Sequence, residues 1–193
     1  MTPSTTTQRP ARRVVPTYFT TLDGVVEDPQ WSFPYWNDET AAFKAEETSN
    51  GQAMLLGRKT YEMFAKVWPD SQDEGAAYFN NARKHVISST RTEDIWQNAA
   101  FLPGNASEQV AALKARGGSD LVIHGSISLT RQLIADGLVD ELRLLVYPIT
   151  LGKGRRLFDD APAAQFDLTS SHATEKGVLA LVYHPKTSQE EEA

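Results

Sequence analysis

The sequence contains no cysteine, which excludes disulfide scaffolds, thiol nucleophiles, thiolate zinc sites and iron–sulfur clusters. It also lacks any apolar run near the roughly twenty residues that a membrane span requires. The N-terminal stretch MTPSTTTQRPARR has no apolar core of the kind found in signal peptides. We therefore expect a cytoplasmic protein without a membrane partner.

Clustered positive charge is missing as well. The 19 lysines and arginines are scattered along a chain whose formal net charge is -6, so the sequence does not predict binding to nucleic acid. The four histidines show no metal-ligand spacing, and we predict no metal site. No G-x-G-x-x-G motif follows the first predicted strand, so a dinucleotide would have to be bound without the ordinary Rossmann fingerprint.

The composition that remains is that of one globular domain. The chain has 193 residues, of which 40% are hydrophobic and 23% charged, enough apolar material for a single core. Residues 1–13 are rich in Thr, Pro and Arg, and residues 185–193 end in Gln-Glu-Glu-Glu-Ala. We expect both ends to be flexible tails around a domain that spans residues 14–184.

Strand and helix patterns alternate through this domain. Apolar, β-branched runs predict strands at 14–21, 53–57, 84–88, 120–124 and 142–147. Capping residues and a helical spacing of apolar residues predict helices that begin near Asn37 or Asp38, Lys59, Asn105 and Ser126. The runs FDLTSSHA and VLALVYH predict a closing antiparallel hairpin. The fold class is therefore α/β, with a mostly parallel sheet that carries helices on both faces and a C-terminal antiparallel hairpin.

Three predicted strands end in small, hydroxyl or basic residues. Because the carboxyl ends of parallel strands share one rim of a sheet, where ligands bind in such folds, we expect these segments to lie together. Unpaired N–H groups at helix starts, together with nearby cations and hydroxyls, suit phosphate groups. A solvated helix start, a polar loop and a tight turn are the alternative interpretations. The segments are Gly57-Arg58-Lys59-Thr60, Ser88-Ser89-Thr90-Arg91 and His124-Gly125-Ser126.

Several stretches carry a resemblance to a known family. LLGRKTYE at 55–62 and KHVISST at 84–90 resemble the cofactor segments of dihydrofolate reductases. The stretch GSISLTRQLIADGLVDELRLLVYPITLGKGRRLF at 125–158 resembles the reductase domain of bacterial riboflavin-pathway deaminase-reductases and their stand-alone relatives. With TTLDGVV at 20–26, the resemblance covers almost the whole domain. The zinc deaminase half of such enzymes requires cysteine ligands, which this chain lacks.

The resemblance implies a dihydrofolate-reductase-like three-layer sandwich and NADPH bound across the three strand ends. It also implies hydride transfer to a small heterocyclic (pterin- or pyrimidine-like) or carbonyl substrate, and a homodimer. A module of the same fold that binds a nucleotide or other ligand without catalysis is the alternative.

The same resemblance implies the substrate-facing residues. Glu39 stands at the position of the acid that orients the pterin ring in dihydrofolate reductases, and the adjacent Asp38 is equally acidic. Asp23 matches the start of the family's mobile loop, and Trp31 and Trp36 are candidates for the walls of a flat pocket. Alternatively, the two acids are simply favourable in the first turn of a helix, and the aromatic residues belong to the core or to a dimer contact.

Overall fold

The computed structural model describes residues 12–49, 52–91, 93–159 and 161–186. The predicted tails lie outside these residues, apart from the short stretches 12–13 and 185–186. Arg13, which falls in the predicted N-terminal tail, is bound to the domain, because its guanidinium pairs with Asp120 at 2.6 Å and with Glu141 at 2.9 Å.

One mixed sheet forms the centre of the molecule. Its strands are β1 (Val14–Thr21), β2 (Ala53–Gly57), β3 (Lys84–Ile87), β4 (Ala99–Leu102), β5 (Leu121–His124), β6 (Leu142–Tyr147), β7 (Phe166–Ala173) and β8 (Leu179–Pro185). The order across the sheet is β4-β3-β2-β5-β1-β6-β8-β7. Strands β1 to β6 run parallel, whereas β8 pairs antiparallel with both β6 and β7. The predicted parallel sheet with a C-terminal hairpin is confirmed.

Helices cover both faces of this sheet, as predicted. They are α1 (Asp38–Thr48), α2 (Arg58–Val67), α3 (Ala76–Asn81), α4 (Ala106–Ala115) and α5 (Ile127–Ala135), and a 3-10 helix covers Pro29–Tyr35. Helices α4 and α5 pack on the face that carries Leu55 and Ile123. The opposite face is covered by α2 and α3, which pack on Met54 and Leu56, and by α1, whose Phe43 packs beside Leu145. Each fully buried leucine stabilises this three-layer arrangement by about 2 kcal/mol.

Besides the 3-10 helix, the sequence interpretation missed two short elements. Helix α3 has six residues and strand β4 has four, with the sequence AAFL. Alanine has a low strand propensity, and β4 exists because its backbone pairs with β3 along Lys84↔Ala99 to Ile87↔Leu102. Neither element is long enough to show a hydrophobic period, so only tertiary contacts reveal them.

Strands β1 and β5 separate at their carboxyl ends. Their last pair is Thr17↔His124, while β1 continues to Thr21 and pairs there with β6 alone. The helices that follow the two strands leave to opposite faces, since α1 lies on one face and α5 on the other. Such a switch point leaves an opening beyond the strand ends, and we call the opening between β1 and β5 the crevice.

Candidate functional site

The three segments singled out in the sequence lie on one rim, as predicted. Strands β3, β2 and β5 are consecutive neighbours in the sheet and run parallel. Their carboxyl ends therefore point in the same direction. The segments that begin at Gly57, Ser88 and His124 follow these ends directly, next to the crevice.

Two strand-to-helix turns on this rim are joined by hydrogen bonds. The backbone N–H of Gly57 donates to Ser126 Oγ at 2.9 Å, and the N–H of Ser126 donates to Thr60 Oγ1 at 3.1 Å. Gly125 lies between them with a φ of 71°. A Cβ atom at this position would lie 3.3 Å from Thr60 Cγ2. The turn thus requires glycine both for its left-handed backbone and for the close approach of Thr60.

Ser126 was predicted to cap helix α5 with its side chain, and this was wrong. Ser126 occupies the N-cap position with a φ of 55°, but its hydroxyl makes no capping hydrogen bond because it accepts the N–H of Gly57 instead. Helix α2 likewise begins after Gly57 without a side-chain cap and without an acidic residue in its first turn. The N–H groups of the two N-cap residues bind side chains, but no side chain of the described residues accepts an N–H group from the first turn that follows in α2 or α5. Both helix starts therefore keep free N–H groups and a partial positive charge at this rim.

A polar cleft of about 460 Å³ lies next to the starts of helices α2 and α4. We call it the rim cleft. It is lined by Arg58, Ile87, Ser88, Ser89, Thr90, Gly104, Asn105, Ala106 and Gln132. Asn105 caps helix α4 as predicted, because its side-chain oxygen accepts the N–H groups of Ser107 and Glu108 at 2.9 Å and 3.1 Å. Hydroxyls, a guanidinium and helix starts in one concave surface form an environment suited to an anion.

The segment after β3 both shapes a turn and supplies hydroxyl groups to the rim cleft. Ser88 is buried, and its hydroxyl accepts the N–H groups of Thr90 at 3.3 Å and of Arg91 at 2.9 Å. This hydroxyl therefore shapes the turn. Ser89 and Thr90 are exposed and face the cleft. Lys59, on the neighbouring helix start, is exposed as well.

A charged triad of Arg58, Glu62 and Arg91 borders the rim cleft. Glu62 Oε1 accepts hydrogen bonds from Arg58 Nη1 at 3.2 Å and from Arg91 Nε at 2.9 Å. The hydrogen bond from Arg91 is the main cause that lowers the pKa of Glu62, followed by that from Arg58. Glu62 was missed in the sequence, although its spacing of four residues from Arg58 on a helix is the signal that would have revealed it.

The His124 side chain does not point toward the rim cleft. It is buried on the face of the sheet that α3 covers, where the rings of Tyr78 and Phe79 lie 5.7 Å and 5.0 Å from the imidazole. Burial is the main cause that lowers its pKa well below the usual value, and the imidazole is therefore neutral at pH 7. At the rim, this residue can offer its backbone only.

One of the two predicted tryptophans is accessible and contacts strand β1. The Trp36 ring is 38% exposed and lies 6.0 Å from the Phe19 ring of β1, so it forms an accessible aromatic wall. Trp31 packs edge-on against the buried Tyr147 at 5.4 Å, and its indole N–H donates to the Glu27 carbonyl oxygen at 3.1 Å. Trp31 thus belongs to the core cluster under the 3-10 helix.

Glu39 binds the C-terminal hairpin. Its carboxylate accepts the Glu175 N–H at 2.8 Å and lies 2.6 Å from His172 Nε2. These two contacts, the Glu175 N–H first, lower the pKa of Glu39. Lys176 strengthens the same junction by donating to the carbonyl oxygens of Pro34 and Trp36 at 3.0 Å and 2.9 Å. The neighbouring Asp38 is exposed in the first turn of α1.

Asp23 connects two loops at the end of β1. Its carboxylate accepts the N–H groups of Leu151 at 3.2 Å and of Gly152 at 2.8 Å, and the Thr21 hydroxyl at 2.5 Å. The Thr21 hydrogen bond is the main cause that lowers the pKa of Asp23 to about 2. Arg156 adds a hydrogen bond to the Asp23 carbonyl oxygen at 2.8 Å. The loop after β1 is thereby fastened to the loop after β6.

The family model for the RibD C-terminal domain matches residues 12–180. The chain belongs to the RibD C-terminal domain family. The chain is similar to the uncharacterized protein YyaP of Bacillus subtilis. The two sequences are 28% identical over 179 residues, which cover 90% of this chain and 95% of that protein.

Solved structures support the fold of this RibD C-terminal domain. A putative riboflavin biosynthesis protein from Shewanella sp. PV-4 matches with a TM-score of 0.73 and 21% identity, over 91% of this chain and 100% of that one. Dihydrofolate reductase from Enterococcus faecalis, complexed with NADP(H) and RAB-propyl, matches with a TM-score of 0.63 and 15% identity, over 91% and 97% of the two chains. The fold is therefore dihydrofolate-reductase-like, and the family supports a reductase type of function.

Within residues 12–49, 52–91, 93–159 and 161–186, no group of three or more His, Asp or Glu side chains is arranged to hold a metal ion. The helices of the same residues are all too short or too polar to cross a membrane.

Proposed function

We propose that the protein is an NADPH-dependent reductase whose cofactor lies across the rim cleft and the crevice. The observation that carries the proposal is the meeting of three strand ends with two helix N-termini that lack side-chain caps, beside a cleft lined by Arg58. Phosphate groups are the anions that such helix starts and a guanidinium favour. Family membership and the NADP(H) complex of the Enterococcus enzyme support the same cofactor.

The residues fit the cofactor in two places. Gly125 leaves the space that a Cβ would fill beside Thr60, which allows a pyrophosphate to approach the backbone between α2 and α5. Arg58, Ser89 and Thr90 line the cleft in which an adenosine 2′-phosphate would lie. A guanidinium next to hydroxyls is the arrangement that separates NADP sites from NAD sites.

The cofactor, when bound, supplies the hydride. The chain's own residues then have to orient the acceptor beside the opening between β1 and β5 and keep water away from it. Trp36 and Phe19 offer flat apolar surfaces for this task. We propose a small heterocyclic substrate, pterin- or pyrimidine-like, or a small carbonyl compound. We also propose that the protein acts as a homodimer, which analytical ultracentrifugation tests.

Glu39 and Asp38 have a more restricted place in this proposal. The Glu39 carboxylate is already bound by the hairpin, so it reaches a substrate only if those contacts open. Asp38 is exposed and close to Trp36 in the chain. We propose Asp38 as the acid nearer to the substrate and Glu39 as the residue that fixes α1 to the hairpin.

Calorimetric titration with NADPH and NADH tests the cofactor, and loss of NADPH absorbance in the presence of candidate substrates tests the reaction. We expect tight binding of NADPH, weaker binding of NADH, and a loss of NADPH affinity in Arg58→Ala. Arg13→Ala removes the same charge at the opposite end of β1 and should leave the affinity unchanged. Binding without turnover of any acceptor would favour the non-catalytic module, and no binding of either nucleotide would refute the proposal.

A further inference from the structure

Glu62 is the centre of the charged triad. It receives Arg58 from the first turn of its own helix and Arg91 from the segment after β3. The two arginines are therefore held by one carboxylate although they come from different strand ends. All three side chains are partly exposed, at 41% for Arg58, 29% for Arg91 and 27% for Glu62.

The three residues differ in their relation to the rim cleft. Arg58 lines it, whereas Arg91 meets Glu62 through Nε and so lies next to the carboxylate. An arginine has five N–H donors. Arg58 uses Nη1 for Glu62, and among residues 12–49, 52–91, 93–159 and 161–186 its other donors have no hydrogen-bond partner, so they can bind an anion in the cleft.

The charge balance of the triad explains why a second arginine is needed. A pair of Arg58 and Glu62 alone has no net charge, and its carboxylate would repel a phosphate nearby. With Arg91 bound to the same carboxylate, the triad has one net positive charge. Arg91 thus compensates for the charge of Glu62, while Glu62 restricts the rotamers of Arg58.

We propose that Glu62 is a positioning residue, which holds Arg58 for a phosphomonoester in the rim cleft, and that Arg91 acts through Glu62 by cancelling its charge. This inference rests on the proposed function, and it assigns the preference for NADPH over NADH to the triad as a unit. Glu62 lowers the rotational freedom of the Arg58 side chain before the phosphate arrives, so less freedom is lost on binding.

The test compares adenosine 2′,5′-bisphosphate with adenosine 5′-monophosphate by calorimetry, because the two ligands differ only in the 2′-phosphate. We expect Arg91→Ala to weaken the bisphosphate about tenfold, since an uncompensated carboxylate then lies near the phosphate. Glu62→Ala should weaken it about threefold, because Arg58 then loses the partly exposed ion pair that holds it. Neither change should alter affinity for the monophosphate.

The double variant separates this mechanism from direct contact. Once Arg91 is absent, removal of Glu62 relieves the repulsion, so Glu62→Ala with Arg91→Ala should bind the bisphosphate more tightly than Arg91→Ala alone. Arg91→Lys keeps the positive charge without the planar fork and should retain the wild-type preference. The matched controls are Arg13→Ala and Glu46→Ala, which removes a carboxylate of helix α1 that pairs with Arg143 on strand β6. Circular dichroism establishes that each variant is folded.

Three outcomes would overturn the inference. One is an additive loss in the double variant, and another is a loss in Arg91→Lys as large as in Arg91→Ala, because both results indicate that Arg91 contacts the phosphate itself. The third is an equal loss for both ligands. If the wild-type protein binds neither NADPH nor the bisphosphate, the proposed function fails together with the inference. If the wild-type protein prefers the bisphosphate but Glu62→Ala does not change this preference, only the inference fails.

Discussion

Replacement of Gly125 by alanine tests whether the two strand-to-helix turns are packed as the structure shows. Gly125 has a φ of 71°, and Gly137, the second residue after α5, has a φ of 66°. Both positions should therefore lose about 1 kcal/mol of stability on substitution by alanine, which is disfavoured in the left-handed region. Their surroundings differ, because an added Cβ at Gly137 meets nothing within 4 Å, whereas at Gly125 it lies 3.3 Å from Thr60 Cγ2.

This difference sets the expected result. Thr60 cannot easily move away, since a β-branched side chain has few χ1 rotamers and its hydroxyl accepts the Ser126 N–H at 3.1 Å. Gly125→Ala should thus cost about 1 kcal/mol for the contact in addition to the backbone term, or roughly 2 kcal/mol in total. Gly137→Ala should cost only about half of this.

Urea unfolding followed by tryptophan fluorescence measures both values, provided that the m-value stays constant. Gly125→Ala should also weaken NADPH binding, because the new methyl group and the shifted turn lie where the pyrophosphate is proposed to bind. Gly137→Ala should not. Equal free energies of unfolding for the two variants would refute the packing argument, and an unchanged NADPH affinity in Gly125→Ala would remove this turn from the cofactor site.

Three other predictions concern the acids and a buried histidine. If the main task of Glu39 is to hold the hairpin, Glu39→Gln should speed hydrogen exchange at the Glu175 N–H and leave turnover nearly unchanged. A large loss of kcat with unchanged exchange would instead identify Glu39 as catalytic. Asp23→Ala should increase hydrogen exchange at Gly152, whose N–H it accepts at 2.8 Å, and unaltered protection there would show that the loops are fastened otherwise. Burial lowers the pKa of His85 from 6.5 to about 4, so the unfolded chain binds a proton between these pH values that the folded protein does not. Stability should therefore fall as the pH drops from 6.5 toward 4, and the fall should be smaller in His85→Leu when urea midpoints are compared across this range.

The sequence alone determined the main features of the fold. Apolar, β-branched runs of strand length, separated by capped helical segments, permit only a parallel sheet covered on two faces, and the structure has this sheet. The strand ends were predicted together for the same reason. Parallel strands place their carboxyl ends on one rim whatever their order, so the meeting of Gly57, Ser88 and Gly125 needed no knowledge of the neighbours in the sheet.

Only the tertiary structure decided what individual side chains do there. His124 and Ser126 stand at the predicted rim, yet one side chain is buried under α3 and the other binds Gly57. Glu39 and Asp23 are acids whose partners, Glu175 and Gly152, lie more than a hundred residues away in the chain. A hydrogen bond between distant segments leaves no periodic signal in the sequence, because its direction depends on how the elements pack. Chain periodicity therefore determined that the three strand ends share one rim, and packing determined which of their side chains already have partners within the protein.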